Sequence, residues 1–334
     1  MSKVNKLLCV LAVAVVALPL VSCGGSAHDS TELYVLVTVN TKIPYWQAAT
    51  AGFGQAATDL KVRYDVVGPD TYDPQAERQE FVKAVQKKAT GILVSAADSE
   101  LLGPQIDAAI AQGIPVITVD ADSPASKRLM FIGTDNYEAG RRGGAVLARQ
   151  LQGKGNVVVF TIPEQANLRE RWHGYEDALK TSPGIKVVEE FSIKGDPRIA
   201  FDHTMEIIEK NRPVDAFVCL EALSCPEVAD VLDRKQIKGK IVIAMDADAR
   251  TLEWIQKGMI AATLVQRPYT MAYFGLKVLD MIHHQKPPSL QVKFAEDTRS
   301  PFPNFVDTGA TLVDKGNVDA FVKANPAGAP ASGN

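Results

Sequence analysis

Four polar residues in this sequence stand directly after short apolar runs: Asp120 after 115–119, Glu221 after 216–220, Asp246 after 242–245 and Gln266 after 262–265. Tyr45 and Trp46 come a few residues beyond the run 33–37, and Arg171 comes beyond 157–160. Carboxylates accept hydrogen bonds, a guanidinium donates a planar fork, and an amide does both. Such a set suits a neutral polyhydroxyl ligand, each hydroxyl of which donates and accepts, while aromatic faces cover the C–H patches of a ring. No machinery for bond making accompanies it. There is no Gly-x-Ser-x-Gly elbow, no His-Glu-x-x-His pair and no phosphate loop, and Gly52-Phe53-Gly54 falls inside a helical pattern instead of a strand-to-helix turn. A glycosidase using Asp120 and Asp246 is the enzymatic rival, and it requires carboxyls roughly 5–5.5 or 6.5–9.5 Å apart. Each residue also has a plain structural alternative. Asp120 can cap its loop, Asp246 can cap the next helix beside Asp248, and Arg171 can sit on a helix surface like Arg169. Tyr45 or Trp46 can belong to the core, and Glu221 can lie on a solvated rim.

The elements that must position these side chains alternate regularly. Apolar, β-branched runs at 33–37, 62–67, 91–94, 115–119 and 130–132 read as strands buried on both faces. Helical spacing separates them, as at Trp46, Ala49, Phe53, Ala56, Ala57 and Leu60. The pattern begins again at 136, with strands at 157–160, 186–190, 216–220, 242–245 and 262–265 between helices, and a last helix over 271–283. Strand–helix alternation specifies parallel sheets with right-handed crossovers. Two such runs predict an α/β protein of two doubly wound, Rossmann-like lobes. In sheets of this kind ligands sit outside the carboxyl ends of the strands, where the polar residues above are found.

Composition narrows the function. The 334 residues carry 36 basic and 39 acidic side chains, a net charge of -3, which leaves no basic footprint for nucleic acid. Lys3 and Lys6, the apolar run 7–21 and the small residues Ser22-Cys23-Gly24-Gly25 follow the order of a secretory signal. The run is shorter than the ~20 apolar residues of a spanning helix, and Pro19 interrupts it. Four cysteines cannot form a disulfide scaffold in a chain this long. Cys9 lies within the signal. Cys219 and Cys225 bracket the strand end that carries Glu221, where export allows a disulfide and burial allows two separate thiols. His283 and His284 fall near a helix end, so their reading is a favourable dipole interaction and no metal site. The stretch 325–334, rich in Pro, Ala, Gly and Ser, predicts a disordered tail.

Two resemblances add to this reading. Leu20-Val21-Ser22-Cys23 resembles the bacterial lipoprotein lipobox, which implies a signal peptide over 1–22, a lipid on Cys23, a tether over 23–31 and anchoring at the periplasmic face of a membrane. Residues from about 32 to 284 resemble the type I periplasmic sugar-binding proteins, the ribose-binding group, which shares its fold with the sensor domains of lactose-repressor-like regulators. The likeness rests on Pro44-Tyr45-Trp46, Gly113-Ile114-Pro115 through Asp120, Gly133-Thr134-Asp135-Asn136 with Gly140, Arg171-Trp172-His173-Gly174-Tyr175, Met245-Asp246, and Ala261-Ala262-Thr263 with Gln266-Arg267-Pro268. It implies that Tyr45 and Trp46 stack on a sugar ring and that Asp120, Arg171, Asp246 and Gln266 hydrogen-bond its hydroxyls. It also implies hinge crossings near 134–135, after 266 and near 296. The lobes would then be 32–134 with 267–295 and 135–266 with 296–322, followed by a tail over 323–334. Ala121 stands where ribose binders have arginine, and Glu221 and Ile43 stand where they have asparagine, so the ligand-binding set with Glu221 points away from ribose itself. The implied protein is a monomeric receptor without cofactor or catalytic residue that delivers a sugar-like ligand to the permease of an ABC-type, ATP-driven importer. The alternative partner is a chemoreceptor or kinase.

Overall fold

Runs such as Leu33–Val37 and Val116–Val119 have no polar face to offer water, so their place is the middle of a covered sheet. The computed structural model describes residues 28–287, 289–290, 293–294 and 296–325. The signal over 1–22, Cys23, residues 23–27 of the tether and residues 326–334 of the tail lie outside the described residues.

The first sheet contains β1 (Leu33–Val37), β2 (Arg63–Val67), β3 (Gly91–Val94), β4 (Val116–Val119), β5 (Phe131–Gly133) and β11 (Phe305–Asp307) in the order β11-β5-β4-β3-β1-β2, all parallel. The second repeats that order as β12-β10-β9-β8-β6-β7. Its strands are β6 (Lys154–Thr161), β7 (Gly184–Ser192), β8 (Ala216–Cys219), β9 (Ile241–Met245), β10 (Ala262–Val265) and β12 (Thr311–Asp314). Here the edge strand β12 runs antiparallel to β10, which the expectation of two wholly parallel sheets did not include. Helices α1 (Pro44–Leu60), α2 (Pro74–Gln86), α3 (Ser99–Ala111) and α9 (Pro268–His284) belong to the first lobe. The second lobe has α4 (Asn136–Gln150), α5 (Ala166–Leu179), α6 (Pro197–Glu209), α7 (Ser224–Arg234), α8 (Ala249–Lys257) and α10 (Val318–Ala324).

Each lobe buries its own apolar core. Tyr34, Phe53, Phe81 and Ile92 meet Met271, Leu276 and Leu279 of α9 in the first, and Phe160, Phe217, Ile243 and Ile255 meet in the second. The chain therefore leaves the first lobe after β5 and returns after β10. It crosses a third time at 308–310, between β11 and β12, and not near Glu296. The reason is local: Phe305 stacks on Phe131 with centroids 5.2 Å apart, and the Asn304 carbonyl accepts from Phe131 N–H at 3.0 Å. Arg128, paired to Asp122 at 2.6 Å, donates to the Asn304 side chain at 2.7 Å and holds the approach to β11 on the first lobe. Thr308 N–H reaches Gly133 O at 2.8 Å, so the first and third crossings lie side by side.

Two boundary segments are more ordered than a tether and a tail would be. Residues 28–31 lie against the body through His28 and Asp29, which bond Glu32 at 3.0 and 2.8 Å. At the other end α10 continues to Ala324.

Candidate ligand-binding cleft

Asp120 and Asp246 occupy equivalent places in the two lobes, one residue past β4 and β9. Their N–H groups extend the ladders, to Ile132 O at 3.1 Å and Leu264 O at 2.8 Å. Both then turn into the left-handed region, φ 64° and 67°, which short polar side chains tolerate. The structural work at each turn falls to a neighbour. Asp122 accepts from Thr118 Oγ1 and Ser123 N–H, and Asp248 caps α8 through Arg250 N–H and Thr251 N–H. That leaves Asp120 and Asp246 free to face the space between the lobes.

Arg171, on α5, is almost wholly buried. Its Nη1 donates to Leu220 O, and its Nη2 donates to Asn136 Oδ1 at 2.5 Å and Gln266 Oε1 at 3.3 Å. One side chain thus joins the ends of β8 and β10 to the start of α4. Helix packing sets its depth, because α4 and α5 cross backbone to backbone at Gly140, where a Cβ would lie 1.9 Å from Arg171 O. Arg169 is the surface residue of the pair and donates to Pro163 O and Glu164 O. Gln266 Nε2 lies 3.2 Å from both carboxylate oxygens of Asp246. Across the gap Tyr45 OH donates to Asp120 Oδ1 at 2.5 Å and meets Trp46 edge-on, centroids 5.2 Å apart. Trp46 is shared between cleft and core. Glu221 is buried rather than on a solvated rim, yet its carboxylate is already engaged. It accepts from Leu223 N–H at 2.5 Å and from Ser224 Oγ and N–H, which caps the start of α7.

All seven side chains line one cavity with an empty volume of ≈ 610 Å³, its mouth included. Asn40, Tyr72, Gln165 and Asn167 line it too, and Asn136 holds Arg171 from behind. Asn40 stands past β1, Tyr72 in the loop after β2, Gln165 at the end of the turn after β6 and Asn167 in the first turn of α5. Asn40 is marked by its place at a strand end, whereas Tyr72, Gln165 and Asn167 lie several residues beyond theirs and carry no such signal. Ile43 forms part of the wall, whereas Ala121 is fully buried.

The electrostatics follow from burial. Removal from water pushes the carboxyls of Asp120, Glu221 and Asp246 up, and the Arg171 guanidinium pulls all three back. Asp246, with the Asp120 charge also facing it, ends at about 7. Burial together with the charges of Asp120 and Asp246 lifts the Tyr45 phenol well above its ordinary value. Among the described residues no carboxylate pairs directly with Arg171, which lines the cavity together with both aspartates. Ligand hydroxyls placed there would find acceptors on one side and donors on the other.

The family model of the periplasmic binding protein domain matches residues 34–286, most of the chain and both lobes. This chain is a periplasmic binding protein. Among curated relatives, the D-allose-binding periplasmic protein of Escherichia coli K12 is 24% identical over 265 residues, 76% of this chain and 85% of that protein. Among solved structures, GanP, a glucose-galactose binding protein from Geobacillus stearothermophilus, superposes with a TM-score of 0.77 at 29% identity, covering 86% of this chain and 98% of GanP. The sugar-binding protein of a sugar ABC transporter from Bacillus halodurans gives 0.74 at 31%, covering 87% and 99%. The two lobes have the type I fold of the family.

A periplasmic binding protein holds its cargo without making or breaking bonds, so Asp120 and Asp246 are not a hydrolytic pair. In this one the β8–α7 turn is additionally fixed by a disulfide between Cys219 and Cys225, Cα atoms 5.8 Å apart. The bond spans the turn that presents Glu221. Replacing both cysteines by alanine is expected to cost about 2 kcal/mol, the entropy scale of so short a loop. Urea denaturation of the oxidised wild type and the double variant measures it.

Proposed function

We propose that this periplasmic binding protein captures a neutral sugar or polyol between its lobes and delivers it to the membrane permease of an ABC-type importer. The observation that carries the reading is the convergence of acceptors and donors from both lobes, Asp120, Arg171, Asp246 and Gln266, on a cavity walled by Tyr45 and Trp46. The sugars named for the relatives agree with that chemistry. Closure follows as a population shift, because a ligand touching both lobes stabilises the closed arrangement over the open one. Specificity comes from pairing, since a sugar that lacks one hydroxyl leaves a buried carboxylate or guanidinium unsatisfied. The leader residues support export and a lipid on Cys23, which would hold the receptor beside its permease.

Thermal denaturation of the full chain in D-allose, D-ribose, D-arabinose, D-glucose, D-galactose and xylitol tests the ligand class. A sugar at a hundred times its Kd stabilises by about 2.7 kcal/mol, a shift of several degrees. No shift with any of the six at millimolar concentration would remove the sugar reading.

A close approach between the lobes gives closure a test. Gly195, in the loop after β7, has φ 75°, and a Cβ there would lie 2.4 Å from the side chain of Tyr72 on the opposite lobe. Gly195→Ala is expected to weaken sugar affinity on the order of tenfold, equivalent to 1.4 kcal/mol against the closed state. Calorimetric titration of the variant reads this directly, and unchanged affinity would show that the lobes do not close through this contact.

A further inference from the structure

On the first lobe, at the end of the sheet opposite the cleft, four side chains from distant parts of the sequence meet. Glu32 immediately precedes β1, His28 lies four residues before it, and Asp280 and His284 are one turn apart on the same face of α9. We propose that these four residues form a binding site for a divalent transition metal of the zinc class.

The geometry points to a common centre. His28 Nδ1 lies 3.0 Å from Glu32 Oε2 and 3.5 Å from Asp280 Oδ1. His284 Nε2 lies 3.5 Å from each of those oxygens and 3.1 Å from His28 Nδ1. Five of the six separations among four donor atoms thus fall between 3.0 and 3.5 Å. A tetrahedral ion with bonds of about 2.0–2.1 Å to nitrogen and oxygen has ligand edges of roughly 3.3–3.4 Å. Hydrogen bonding alone serves the cluster poorly. Each neutral imidazole carries one proton, whereas each of these two nitrogens faces two carboxylates and the other ring. A cation at the centre takes up all four lone pairs together.

The surroundings are those of a ligand set. Glu32 Oε1 accepts Asp29 N–H at 2.8 Å and Asp280 Oδ1 accepts Tyr34 OH at 3.2 Å, outer contacts that orient both carboxylates. Glu32 is buried and both histidines are part-exposed, so an ion can enter from solvent. Two imidazoles exclude the all-oxygen preference of calcium and magnesium and suit zinc, with cobalt as a spectroscopic substitute. A bound ion would clasp residues 28–32 to the end of α9.

The test uses the full chain without a histidine tag, stripped with chelator, given zinc chloride and dialysed before elemental analysis. The wild type is expected to retain one zinc per chain and, loaded with cobalt, to show the intense visible bands of a tetrahedral site. His28→Ala and His284→Ala should each lower zinc affinity at least tenfold. Asp280→Asn, which preserves side-chain shape, should do the same, so the result does not depend on one variant folding. Sugar-induced thermal stabilisation should be unchanged in all three, which separates this site from the cleft. A wild type that retains no zinc, or variants that retain as much as the wild type, would overturn the proposal.

Discussion

Asp246→Ala is expected to weaken sugar binding by roughly 100-fold or more while the chain remains folded. Hydrogen bonds to a buried charged group contribute about 1.5–3 kcal/mol each, so losing two acceptor positions reaches that scale. The cavity loses only a side chain whose protein partner is Gln266, and the cap of α8 stays with Asp248. The same residue sets a pH dependence. Its carboxyl sits at about 7 in the folded chain, against about 3.9 unfolded. Between those values the native state holds a proton that the unfolded state has released, so this contribution to stability is present at low pH and is lost as pH rises through 7. The thermal midpoint of the sugar-free wild type should therefore decline between pH 5 and 8 more steeply than that of Asp246→Asn. Sugar hydroxyls that donate to the ionised carboxylate reverse the preference. Affinity should rise from pH 5.5 to 8 by on the order of tenfold, with proton release on binding near pH 6. Calorimetry in buffers of different ionisation enthalpy measures both.

Arg171→Ala should act on stability as well as on binding. Read from sequence, Arg171 is a ligand contact or a helix-surface residue. The structure gives it a second duty, because it ties Leu220 O, Asn136 and Gln266 together and is the cation that draws down Asp120, Glu221 and Asp246. Truncation leaves Leu220 O, Asn136 and Gln266 without this donor, at about 1–3 kcal/mol for each buried group left unpaired. Urea denaturation of Arg171→Ala should show a loss of that size. Arg171→Lys, which restores the charge without the planar fork, should recover part of the stability but little of the sugar affinity. An Arg171→Ala chain as stable as the wild type would contradict the tying role.

Much of this arrangement was legible in the residues. Strands buried on both faces announce themselves as continuous apolar runs, and the rule that ligands gather at strand ends located Asp120, Glu221, Asp246 and Gln266. The edge strands were not legible. Phe305–Asp307 and Thr311–Asp314 are three and four residues long, and their pairing depends on contacts such as Phe305 on Phe131 that no local pattern encodes. The crossing near Glu296 came from the resemblance, which does not anticipate β11 pairing with β5. Asn136 was seen only as part of a motif, since its role is to hold another side chain. Glu221 was legible as buried cleft or rim, but its capping of α7 depends on how the turn folds back. The histidine–carboxylate cluster was beyond local reading, because His28 and His284 are 256 positions apart and His284 alone satisfies a helix-dipole reading.

The central claim is that a single sugar is held by both lobes at once. Isothermal titration of whichever of the six sugars stabilises the full chain most, run on the wild type, on Asp120→Ala from the first lobe and on Gln266→Ala from the second, tests it most directly. One site per wild-type chain is expected, with an affinity lowered at least tenfold by either substitution. Full affinity in either variant, with its fold intact, would place the sugar on one lobe alone and contradict the account.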